Sequence, residues 1–228
     1  MTEPASDKTL TRIRALLAKA EDQAATPEES ELYFAKAAEL MARYGVDRAM
    51  LAAADPTSDV LGDRVVVVEG SYHLDKTGLL ANIAEELGCR AVLRARWIGG
   101  VKQHSVHLFG YDSDLERIEI LYTSLLVQAI NGLAKTPVPY GEHARSFRIS
   151  WWAGFRSAVV RRLHHAEARA QAEASHQREQ AGTTGPSVAL VLADRGTAVS
   201  ARMTEVYPRL RKGPTRQITG SGYGRGYD

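Results

Sequence analysis

An α+β fold is expected for this chain: an N-terminal helical hairpin module, packed on or tethered to a small mixed or antiparallel sheet that long helices cover. Two features lead there. Apolar residues recur at helical spacing in several long stretches, and shorter runs rich in β-branched residues lie between them. The two kinds alternate irregularly and one strand pair reads as antiparallel, unlike a regular βαβ plan. The composition, 44% hydrophobic and 25% charged over 228 residues, is that of an ordinary globular protein.

Residues 7–54 form the first predicted part. Leu10, Ile13, Leu16, Leu17 and Ala20 repeat at helical spacing. In the TPEES turn, Thr26 suits an N-cap, Pro27 the first helical position and Glu29 the third position of a capping box. The next helix lines up Tyr33, Ala37, Leu40, Met41 and Tyr44. Gly45 is expected to end it, and Asp47 to cap a short third helix through Met50 and Leu51. Residues 54–63, ADPTSDVLGD, have the composition of a linker.

The α+β part is expected over residues 64–208. Arg64 to Glu69 reads as a strand and Leu74 to Leu87 as a helix. Strands Arg90 to Ile98 and His104 to Phe109 join across Gly99-Gly100 as a hairpin. Asp112 or Ser113 caps a long helix that stops near Gly132, ahead of a loop with two prolines. A second long helix runs from about Ser146 to Gln180. Val188 to Leu192 reads as a buried strand, and Asp194 to Val206 as a last helix. Residues 209–228 are expected to be a flexible, basic, Gly-rich tail.

No apolar run approaches the ~20 residues of a membrane helix. The opening MTEPASDKTL lacks an apolar signal core. The single cysteine, Cys89, allows neither an internal disulfide nor a Cys-based zinc site within one chain. A cytoplasmic protein without a membrane partner is therefore expected. Charge is uneven. Residues 1–143 carry 15 Lys/Arg against 21 Asp/Glu, a net −6, whereas residues 144–228 carry 14 against 6, a net +8. A basic C-terminal third suits an anionic partner, because cations set against phosphates release counterions. It suits equally an attraction between the two halves or between two copies.

The stretch from Lys8 to Gly45 resembles the N-terminal module of the domain-of-unknown-function 2786 family. The matching residues are Lys8, Ile13, Leu16, Leu17, Ala18, Lys19 and Ala20, then Pro27-Glu28-Glu29, then Ala35, Ala38, Leu40, Met41, Tyr44 and Gly45. LLANIAEELGCR, VHLFGYDSDLERIEILYTSLLVQA and FRISWWAGFRSAVVRRL are similar to the uncharacterised α+β domain that commonly follows. The resemblance implies a two-part bacterial or phage protein and no particular activity.

HExxH, GxSxG, GxxxxGK[ST] and GxGxxG motifs are all absent, and no cofactor or metal is expected. His104 and His107 lie three apart in a strand and so face opposite ways; His164 and His165 point ~100° apart on a helix. Cys89 is expected to be a small buried hydrophobe. On the second long helix, Trp152, Phe155, Val159, Leu163, Ala166 and Ala170 fall on one face and should be core. The opposite arc gathers Arg161, Arg162, His165, Arg169 and His176 without an acid, with Trp151 beside Arg162. Solvated helices usually interleave the two signs.

The function expected from these residues is non-enzymatic binding of DNA or RNA, or an accessory role in it. Arg161, Arg162, His165, Arg169 and Trp151 would supply the helix face, and Arg211, Lys212 and Arg216 the tail. Two alternatives remain open. One is a metal-dependent hydrolase or nuclease-like enzyme with Asp112, Asp114 and Glu69 as ligands, although carboxylates at a helix N-terminus also serve as caps. The other is an adaptor that takes a protein partner through residues 7–54.

Overall fold

The computed structural model describes residues 3–211, 213 and 217–227. Helices α1 (Glu3–Ala20) and α2 (Pro27–Ala54) form the N-terminal hairpin. Both halves of the expected capping box are made: Glu29 N–H donates to the Thr26 hydroxyl at 3.2 Å, and Thr26 N–H donates to the Glu29 carboxylate at 2.9 Å. The hairpin does not have a core of its own. Leu10, Ile13, Leu17, Phe34 and Met41 belong to one apolar cluster with Leu115, Leu121, Trp152 and Leu163 of the later helices.

Gly45 does not end α2, and no separate third helix starts at Asp47. The helix runs through to Ala54. Gly45 is there because a side chain crosses it: a Cβ at this position would collide with the guanidinium of Arg117. The stop comes at Asp55-Pro56, since the residue before a proline disfavours the α conformation.

Strand β1 (Leu61–Val68) leads through α3 (His73–Glu86) to β2 (Arg90–Ile98) and β3 (Val101–Tyr111). The sheet is antiparallel throughout, in the order β1-β3-β2. The β2–β3 hairpin turns at Gly99-Gly100 as expected. Both glycines have positive φ, 57° and 79°, which a two-residue turn of this hand requires. β1 pairs with β3 only as far as His104, whereas β2 pairs with it to the end. Three pairs, Arg96↔Gln103, Trp97↔Lys102 and Ile98↔Val101, therefore project past β1.

Helices α4 (Asp112–Lys135) and α5 (Ala144–Gln180) follow, and α3 and α4 cover one face of the sheet. The segment read as a buried strand at Val188 to Leu192 is helical instead. It is the start of α6 (Val188–Val206), which packs on the other sheet face. Ser187 caps it, its hydroxyl accepting from Leu190 N–H at 3.2 Å. Buried Val188, Val191, Arg195 and Val199 set its inward stripe. That 3.6-residue period is hidden inside a short continuous apolar run, which a strand would show equally.

The end of the supposed flexible tail is ordered against α5. Tyr223–Tyr227 form a short helix, α7, and Gly220, Gly222 and Gly226 bring its backbone onto that of α5. A Cβ at Gly226 would collide with the Trp151 carbonyl, and one at Gly154 of α5 with the Tyr223 carbonyl. Gly222 N–H donates to Ser150 Oγ at 2.9 Å, and Ser221 N–H donates to the Glu142 carboxylate at 2.7 Å. A Gly-rich composition here permits close backbone approach rather than disorder.

Candidate nucleic-acid interface

Helix α5 carries most of the residues nominated from the sequence, and the structure divides them. Trp152 is core, 2% exposed, as its helical repeat demands. Trp151 is buried as well, at 3%, and cannot meet a ligand. Its ring stacks on Phe155 with centroids 5.4 Å apart, and α4 lies so close that a Cβ at Gly132 would come within 2.9 Å of it. Trp151 and Arg162 are neighbours on a helical wheel, but the wheel does not show which helices pack around them.

The arc lacks acids only within its own helix, because α2 supplies them. Glu31 pairs with Arg162 at 2.5 Å and Glu39 with Arg169 at 2.9 Å. The attraction between acidic and basic halves thus occurs, at this seam. Arg161 remains exposed with its guanidinium 4.5 Å from the Tyr227 ring centroid, and His165 is exposed. Arg211 is exposed and far along the chain from both, while Lys212 and Arg216 lie outside the described residues. Of the nominated residues on α5, Arg161 and His165 are exposed and form no ion pair among the described residues, while Arg162 and Arg169 are paired to α2.

A second group of basic residues lies in the β2–β3 hairpin. Between Glu86 and Asp112 the chain has no acid, yet it has Arg90, Arg94, Arg96, Lys102, His104 and His107. Arg96 and Lys102 are exposed in the projecting tip and Arg94 is half-buried just below it. Among the described residues these three form no ion pair. Trp97 stands between them, 73% exposed. The missing acids are readable in the sequence, but the exposure of Trp97 depends on β1 stopping short of the tip.

The two strand histidines separate, as alternation requires. His104 stacks on His73 of α3 at 4.3 Å, and burial, then the nearby His73 and Lys102, lower its pKa. His107 lies on the opposite face, with Nε2 2.9 Å from Asp63 and Nδ1 2.8 Å from the Tyr207 hydroxyl. The hydrogen bond to His107, assisted by Arg202, holds the Asp63 carboxyl below its ordinary value.

The carboxylates proposed as metal ligands do not share a site. Asp112 follows β3 opposite the start of β1, and Glu69 follows the far end of β1, so roughly 25 Å of strand separates them. Asp114 belongs to a buried charge network. Its carboxylate accepts from Arg117 and from Arg195, each at 2.8 Å. Arg195 also donates to Asp59 at 2.8 Å, and Arg117 to Glu167. Asp59 further accepts from the N–H and hydroxyl of Ser113. The Arg195 guanidinium lies over the Tyr111 ring, 3.6 Å from its centroid. The network ties α4, α5, α6 and the segment before β1 together. Among the described residues, no group of three or more His, Cys, Asp or Glu is placed to hold a metal ion. Cys89 is fully buried and burial pushes its thiol pKa up, which leaves it a poor nucleophile.

No described helix is long and apolar enough to cross a membrane. No curated protein and no solved structure matches the chain. One family model does match, described as a protein of unknown function (DUF2786), over residues 8–48. Those residues are most of α1 and most of α2, so the likeness falls on the N-terminal helical hairpin, which shares one apolar core with the α+β part.

Proposed function

We propose that this is a non-enzymatic nucleic-acid-binding protein, or an accessory protein acting on nucleic acid, and that its contact surface is the projecting β2–β3 hairpin. One observation carries the reading: a stretch of sequence without acids places Arg94, Arg96 and Lys102 around an exposed tip, and among the described residues none of the three forms an ion pair, although Glu69 lines the same hollow as Lys102. The core of the fold and the α2–α5 seam already use Arg117, Arg162, Arg169 and Arg195 in ion pairs. The hairpin cations are among those left for an outside anion. Each phosphate they neutralise releases counterions, which makes binding steeply salt-dependent. Arg161 and His165 on α5 and Arg211 beyond α6 would add to the basic surface.

Fluorescence anisotropy with labelled DNA and RNA oligonucleotides across a salt series tests this. Wild type is expected to bind at low salt, with log affinity falling linearly in log salt. R94A/R96A/K102A should weaken binding and flatten the slope by roughly 2, the share of three phosphate contacts on a single strand. R161A/H165A should do less. No binding to any oligonucleotide at low salt would refute the proposal.

A further inference from the structure

Alternation along the hairpin divides its exposed residues between two faces. Leu93, Ala95 and Trp97 point to one side with Lys102, and Arg94 and Arg96 to the other with Ile98 and Val101. Leu93 is 58% exposed, and Trp97 sits directly across from Lys102 on the same face. Same-face neighbours on a strand are ~7 Å apart. Among the described residues β2 is also an edge strand, with β3 as its one neighbour in the sheet. A chain lying along this edge could therefore set a flat apolar group against Trp97 while its charged groups meet Arg94, Arg96 and Lys102.

We infer that the hairpin recognises unpaired nucleotides: Trp97 stacks on a base of a single strand, and Arg94, Arg96 and Lys102 hold the flanking phosphates. This rests on the nucleic-acid reading above and adds the class of strand. A base in a duplex has both faces covered by its neighbours, whereas an unpaired base offers a free π face to an aromatic ring. The Trp97 backbone is paired with Lys102 and followed by the two-residue turn at Gly99-Gly100. A membrane surface fits less well. Trp97 lies on one face of the tip and Ile98 and Val101 on the other, so they make no common apolar face to insert.

The chain has three tryptophans, and the other two are buried. A change in solvent-exposed tryptophan emission therefore reports Trp97 alone. The probes are an oligothymidine, an abasic strand of equal length, a duplex and anionic phosphatidylserine vesicles. The expected result is quenching by oligothymidine and none by the abasic strand. W97L should lose roughly tenfold or more in affinity for oligothymidine, and W97F should keep most of it. The position is exposed at the tip of a hairpin, so both variants should retain the wild-type circular dichroism.

Equal oligothymidine affinity in W97L and wild type would overturn the inference. So would tighter binding of the duplex with unchanged emission, although the nucleic-acid reading would then survive. Binding to the vesicles alone, or to nothing, would overturn both.

Discussion

At Gly45 a residue chosen against helix propensity sits in the middle of a 28-residue helix. Glycine there costs about 1 kcal/mol relative to alanine, and it clears the path of the Arg117 guanidinium between Asp114 and Glu167. G45A should therefore destabilise the protein by ~1–3 kcal/mol in urea unfolding, as overpacking does. Gly196 in α6 has open space where a Cβ would go, and G196A should be neutral or stabilising by up to ~1 kcal/mol. The network also has a pH signature. Burial raises the Glu167 pKa above its ordinary 4.5, and this outweighs the lowering by Arg117. The native state then holds the Glu167 proton to higher pH than the unfolded state. Its contribution to stability is complete below the unfolded value and declines as pH rises through the folded one. Melting temperatures of wild type and E167Q, followed upward from about pH 4.5, should move in favour of E167Q.

Between the hairpin that begins the chain and α7 near its end, the elements differ in how they pack, and that determines how well each could be read. The α1–α2 turn was legible because its capping box is a local motif. The β2–β3 hairpin was legible because Gly99-Gly100 fits one kind of turn. The start of α6 is not legible because Val188 to Leu192 is apolar at every position, and only packing selects the helical stripe. The α5 arc was legible as a pattern and not as a surface, since Glu31 and Glu39 reach it from a helix more than 100 residues earlier. The order of the glycines at 220–226 is not legible because composition cannot register a matching glycine, Gly154, on another helix. G226A should lift α7 from α5. Trypsin cleavage after Arg225 should then be faster than in wild type, while G224A, with open space at its Cβ, should cleave at the wild-type rate. Equal rates for G226A and wild type would mean that the close approach does not hold α7.

Across the whole molecule, the two halves of opposite net charge are partly neutralised against each other inside the fold. The acidic module spends Glu31 and Glu39 on α5, and the buried network joins α4, α5 and α6. The overall charge of +2 thus understates how basic the hairpin is locally. The same residues bear on how copies of the protein behave toward one another. A three-stranded sheet with β1 and β2 at its borders offers two rows of backbone groups to which another sheet could add. Along β2, Arg90, Arg94 and Arg96 set like charges that would face each other if two such borders met. Like charges on facing borders repel, so the cations proposed to hold phosphates are expected also to oppose pairing between neighbouring molecules. Removing them should leave a chain that self-associates more readily, so a neutralised hairpin belongs in a light-scattering cell before it goes into a binding assay.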